Sequence, residues 1–300
     1  MSAAPSIALR TAARPVFAGA VRSELLKLRH QWLTWVLVAG FAVVTGIVMT
    51  TFATSSSARD TLAHDPTAFY FAYLSAMQQL FDVASGVILL IAGARLVALE
   101  YGNGTIRLVL ARGTGRLGLL FAQYTALAIT GVLLLAGFAL FSAAFLYVLV
   151  VAWHGSFAPI ASLPAVAWTD TWRNALVAGA SMAVCILLGT AAAVAGRSVA
   201  FGVGVAMAFF PADNFAVIVM TLMSRITAQD VWPRATQYLL GPVLNHLPGV
   251  VQADHAVRPA FAPILVPGVD ATHCWVVIGV YSLVFLATAV VLTWRRDVLH

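Results

Sequence analysis

Charge is scarce in this chain. It carries 17 basic and 11 acidic residues among 300, or 9% charged, where a soluble domain carries about 25%. Mean hydropathy is +0.93, so a soluble fold with a charged surface is excluded. Lysine occurs once, at Lys27, between two leucines. A phosphate-cradling loop needs glycines followed by lysine, so the sequence cannot form a P-loop ATPase of its own. HExxH and GxSxG are absent, which removes the zinc-protease helix and the nucleophile elbow. The only two cysteines, Cys185 and Cys274, fall at different depths of their apolar runs. That argues against a disulfide and for small packing residues. No metal site is expected: His246, Asp254, His255 and His273 match no ligand spacing.

Long apolar runs are abundant. Trp32 to Phe52, Leu117 to Trp153, Asn174 to Gly196 and Cys274 to Trp294 contain no Asp, Glu, Lys or Arg. Phe69 to Ala94 carries only Asp82, and Ser198 to Ser224 only Asp213. A run of about 20 apolar residues spans a bilayer as a helix, so the sequence predicts an all-α integral membrane protein with six transmembrane helices. The first run is too long and too far from the start for a cleaved signal peptide. The six spans place twelve of the basic residues on one side and five on the other. The positive-inside rule then puts both termini in the cytoplasm, and the net charge of +6 reflects topology and anionic headgroups rather than nucleic acid.

Residues 1–20 read as a mobile, Pro-containing tail and 21–300 as one transmembrane domain. In "VRSELLKLRHQW", Val21, Leu25, Leu28 and Trp32 fall on one stripe at 100° per residue, with Ser23, Lys27, His30 and Gln31 pointing away. This predicts an amphipathic helix at the cytoplasmic interface, leading into the first span. Between the fifth and sixth spans, "QYLLGPVLNHL" is apolar but too short to cross, which predicts a re-entrant or interfacial hairpin on the outer side.

Ionisable residues inside a membrane are costly and mostly functional. Gln78 and Asp82 in the second span, with Asp213 and Asn214 in the fifth beside Pro211, have two readings. They line a substrate path, or they fix helix packing by hydrogen bonds worth about 1 kcal/mol each.

The most polar stretch between spans is "LEYGNGTIRLVLARGTGR", from Leu99 to Arg116. Gly102 and Gly104 stop the second span. Thr105 is placed to cap a short helix with an apolar face of Ile106, Val109 and Leu110, and Thr114 to cap the third span. Arg107, Arg112 and Arg116 surround it, and Glu100 is placed to pair with an arginine such as Arg107.

"EYGNGTIRLVLARGTGRLGLLFAQ" resembles the cytoplasmic signature of ABC-2 type transporter permeases, E-x-x-x-GT-x-R-x-x-L-x-R-G-x-x-R ending in lysine. Glu100, Gly104, Thr105, Arg107, Leu110, Arg112, Gly113 and Arg116 fit in register; Gln123 stands where lysine is usual. The N-terminal amphipathic helix resembles the family's elbow helix, and "YLLGPVLNHLP" its outer hairpin. The resemblance implies a permease that pairs with a second copy or a related chain in a multi-pass bacterial cell membrane. It also implies two separate ABC ATPase subunits below, carrying the ATP and Mg; no cofactor is expected in this chain. The short helix after the second span would be a coupling helix docked on the ATPase, in a transporter that is most often an exporter. A proton-coupled transporter using Asp82 and Asp213 is the alternative. An intramembrane enzyme lacks a clustered nucleophile, base or metal set.

Overall fold

The computed structural model describes residues 17–102, 115–252 and 269–295. Eleven helices are described: α1 (Phe17–His30), α2 (Trp32–Thr54), α3 (Ser56–His64), α4 (Pro66–Gly102), α5 (Arg116–His154), α6 (Ala158–Ala161), α7 (Ala165–Gly196), α8 (Val199–Thr227), α9 (Val231–Thr236), α10 (Leu240–Val251) and α11 (Ala271–Arg295). There is no strand among the described residues. Six helices, α2, α4, α5, α7, α8 and α11, are long and apolar enough to cross a membrane, matching the six runs. Consecutive spans run in opposite directions. The lower end of the bundle is where α1 lies and where α7 turns into α8.

Short-range chemistry sets the helix ends. The Ser55 hydroxyl accepts from the Ala58 N–H and starts α3. Asp65 accepts from Ala68 N–H at 3.0 Å just before Pro66, which suits the first helical position because its missing N–H is not needed there. Arg197, at φ 51°, closes α7, and the Ser198 hydroxyl at once caps α8. Gly115 occupies the N-cap of α5 with no side-chain cap bond, so α5 starts one residue beyond the Thr114 cap that the sequence suggested. Thr114 itself lies outside the described residues.

Two spans outrun their apolar segments. α4 continues past Ala94 to Gly102, and α7 begins at Ala165, well before Asn174. Each extension carries an acid that is paired within the protein. Asp170, 2% exposed, accepts from Arg173 at 3.0 Å, and Glu100 pairs with Lys27.

α4 and α7 form the centre and are buried over most of their spans, whereas α2 and α8 expose most of theirs. They pack parallel, and glycine permits the close approach. A Cβ on Gly189 would lie 2.5 Å from the Leu90 carbonyl oxygen, and one on Gly86 3.2 Å from Cys185 Sγ. Small residues at such crossings let membrane helices exchange dispersion contacts backbone to backbone. Stacked rings bind α2 and α5 to this centre. Phe81 and Phe138 lie 4.9 Å apart between centroids, and Phe41 is 5.4 Å from Phe138.

The stretch "QYLLGPVLNHL", expected to be a hairpin, runs from the end of α9 into α10. Leu240, Val243, Leu244 and Leu247 of α10 are buried in one cluster with Val177 and Val184 of α7 and Val277 and Ile278 of α11.

Candidate functional site

The residues predicted for a substrate path come from α4 and α8. Gln78 and Asp82 are one turn apart on α4, and the Gln78 amide donates to both Asp82 oxygens at 3.0 and 2.9 Å. Asp82 lies at the junction of two contiguous lobes. The larger, 350 Å³, lies between α4, α7, α8 and α10 and is walled by Val83, Leu90, Met207, Phe210 and Leu244, with Asn214 and Asn245. The smaller, 70 Å³, extends toward the upper end past Ser75, Gln78, Gln79 and Gln252. Ser181 of α7 borders both. Asp82, Ser181 and Asn214 all sit near the middle of their spans, so the cavity is at mid-depth of the bundle.

Of the four residues named from sequence, Gln78, Asp82 and Asn214 therefore line one cavity. Asp213 is turned elsewhere. Its carboxylate accepts from the Gly241 N–H at 2.5 Å, and Gly241 lies in the first turn of α10, whose N-cap residue Leu239 offers no side-chain bond. The first N–H groups of a helix have no partner within it, and the positive end of the helix dipole favours an anion. Asp213 is thus an N-cap supplied by another helix. Asn214 completes the joint, accepting from the Asn245 amide at 3.3 Å. At its other end α10 is held by Gln252, which donates to the buried Asn174 side chain at 2.5 Å. These bonds fix α10 as the upper wall of the cavity.

Ser181, Asn245 and Gln252 escaped the sequence reading. Each is a polar residue in an apolar surrounding, the same signal that marked Gln78 and Asn214. Serine in a long apolar run stands out weakly, and Asn245 and Gln252 lie outside the long spans.

A second polar cluster lies at the lower end, where α1 packs on α5 and α4. Val21 and Leu28 are buried, as the stripe predicted, and Leu25 is half-buried. Trp32 leaves the stripe. The helix breaks at Gln31, so Trp32 is the first residue of α2 and is 70% exposed. Glu24 fills the buried face instead, at 1% exposure. Lys27, expected to point away, reaches back over this face. It bonds Glu24 at 2.6 Å and Glu100 at the end of α4. Its long apolar stem allows this, since the ammonium can travel several ångströms from the backbone. Lys27 of α1 is thus one partner of Glu100; Arg107, with which a local pair was expected, lies outside the described residues.

Burial pushes the Glu24 carboxyl above its ordinary value, against the pull of Lys27 and the Gln123 amide toward the charged form. Burial acts to lower the Lys27 ammonium, but the bonds to Glu100 and Glu24 outweigh it and hold the pKa above the usual value. Gln123, at the signature position where lysine is usual, is buried at 3% exposure beside this cluster. A lysine there would bring a second cation into it.

Gly104, Thr105, Ile106, Arg107, Val109, Leu110 and Arg112 lie outside the described residues. Arg116 opens α5. Glu100 and Arg116 thus bracket the segment on which the coupling expectation falls.

Among the described residues no three His, Cys, Asp or Glu side chains gather to hold a metal. No curated protein matches the chain significantly. A family model described as ABC-2 family transporter protein matches residues 20–213, from α1 through the first half of α8. That match takes in α1, the signature segment, four whole spans and the first half of the fifth, and on it the chain belongs to the ABC-2 family of transporter membrane proteins.

Proposed function

We propose that the chain is the permease of an ABC exporter, driven by ATP hydrolysis in separate nucleotide-binding subunits and paired with a second permease in a bacterial cell membrane. One observation carries the division of labour. The only lysine, which a phosphate-cradling loop would require, is held between Glu24 and Glu100. The motor is then a separate chain that holds the ATP and Mg. Both termini and the 103–114 connection face it in the cytoplasm.

In this reading α1 is the elbow helix and the connection is the coupling element. Ile106, Val109 and Leu110 supply its apolar contact and Arg107, Arg112 and Arg116 its charge. Exposed ion pairs contribute only about 0–1 kcal/mol each, so the apolar face dominates docking. Lys27 joins this element's root at Glu100 to α1, so movement of the connection is felt by α1 and α4 together. The cavity around Asp82 is the substrate path; Asp213 holds its wall.

The proton-coupled alternative gains less from the geometry. Asp82 is bonded to Gln78 and Asp213 to the α10 backbone, and no hydrogen bond connects the two acids among the described residues. The test is co-purification. The chain isolated from its native membrane should bring down a subunit with a phosphate-cradling loop. Val109→Asp should weaken this strongly, and Arg107→Ala should have a smaller effect that shrinks as salt screens the charge. An intact complex with Val109→Asp would remove the coupling role from this segment.

A further inference from the structure

Resting on the reading of this cavity as the substrate path, we infer that it takes a monovalent organic cation with an apolar body, held by Asp82. The inference starts from a charge without an opposite. Asp82 sits at mid-depth of a membrane bundle, and its bonded neighbour is Gln78. An amide orients a carboxylate but does not neutralise it. Among the described residues no Lys, Arg or His borders either lobe, and none of their ion pairs involves Asp82. A carboxylate removed from water attracts whatever cation can reach it, because Coulomb attraction grows as the local dielectric falls.

The surroundings say which cation. Divalent metals favour sites with several charged or imidazole ligands; among the described residues no three His, Cys, Asp or Glu side chains gather, and Asp82 is the one carboxylate among the described residues lining these lobes. The larger lobe holds 350 Å³, within the range of about 300–1,000 Å³ that suits drug-sized molecules. Its wall of Val83, Leu90, Phe210 and Leu244 rewards removal of apolar surface from water. Met207 adds a flexible, polarizable side chain that adapts to irregular shapes. The amides of Gln78, Gln79 and Asn245 stand beside the carboxylate, where an ammonium's N–H groups or bridging water find acceptors. One negative group, neighbouring amides and an apolar body-sized space fit an amphiphilic amine or quaternary cation. The same charge repels phosphorylated lipids and polyanionic polymers.

The test uses two probes of nearly equal size and shape but opposite charge, tetraphenylphosphonium and tetraphenylborate. Equilibrium binding is measured on the purified full-length chain in nanodiscs of zwitterionic lipid. Saturable binding of the phosphonium is expected, with at least ten-fold weaker binding in Asp82→Asn and no saturable site for the borate in wild type. Ser181→Phe keeps the carboxylate but fills the space, and should also abolish phosphonium binding. Thermal unfolding of both variants checks that they fold, and the wild-type comparison of the two probes reads charge preference even if neither does. Equal binding of both probes, no saturable phosphonium binding, or binding unchanged in a folded Asp82→Asn overturns the inference. Co-purification of the ATPase from the same preparations separates the two claims. Its retention alongside failed phosphonium binding rejects the ligand class alone, and its loss rejects the permease reading.

Discussion

Removing the charge of Lys27 with Lys27→Met isolates the lower polar cluster. Wild type places one ammonium against two carboxylates, Glu24 at 1% and Glu100 at 6% exposure. The methionine keeps most of the apolar stem and removes only the cation. Breaking a fully buried ion pair by deleting one partner costs about 3–5 kcal/mol, because the remaining charge is left without compensation. The Lys27 side chain is 39% exposed, so water screens part of this, as at surface pairs. The expected loss is about 2–3 kcal/mol, or roughly 4–10 °C in the unfolding midpoint for a chain of this size. The assay is thermal unfolding of the purified protein in detergent, followed by intrinsic tryptophan fluorescence. Lys27→Arg should retain most of the stability. Lys27→Met combined with Glu100→Gln should be less destabilised than the two single losses added, since the pair shares one interaction. A Lys27→Met protein as stable as wild type, or strictly additive losses, would refute the cluster as a clamp between α1 and α4.

Three further outcomes follow. Asp213→Ala leaves the Gly241 N–H of α10 without its acceptor and should cost about 1–3 kcal/mol, read as a lower midpoint together with faster hydrogen exchange at the start of α10; unchanged exchange there would show that Asp213 does not cap it. Gly189→Val forces a side chain onto the Leu90 carbonyl and should destabilise by about 1–3 kcal/mol, whereas Gly179→Ala, which meets nothing within 4 Å, should be tolerated in the same thermal assay. The pH profile has two parts. Lys27, raised above its ordinary value of 10.5, contributes stability that is complete below that value and lost as pH rises through the folded one. Glu24, raised above 4.5, makes stability fall as pH climbs from that value toward the folded one, and Glu24→Gln should flatten this acid-side slope in midpoints recorded across pH.

The six spans were legible because each is a run of apolar residues longer than any competing soluble element, and run length alone decides the matter. Helix ends were less so. Glu100 fell in the polar stretch between spans because its partner, Lys27, lies on a distant helix and is brought to it by the fold. Lys27 itself was misplaced by the helical wheel, which records where a Cβ points and not how far a four-carbon stem can reach. The acids in the spans were found by their cost in a membrane, but sequence could not separate their roles. Asp82 and Asp213 are both lone acids in apolar helices. Only the path of α10 places a helix N-terminus against Asp213 and leaves Asp82 facing open space. Gln123 was visible as a departure from the family signature, and its meaning emerged when Glu24 and Lys27 appeared beside it.

The central claim, a permease driven by a motor on another chain, is tested most directly by ATP hydrolysis. The measurement compares three samples: the complex purified from native membranes through the wild-type chain, the same preparation through Val109→Asp, and the wild-type chain stripped of partners. Hydrolysis should appear in the first and fall to background in the other two, with the Val109→Asp chain still folded. Robust hydrolysis by the isolated chain, or equal hydrolysis through a folded Val109→Asp, would contradict it.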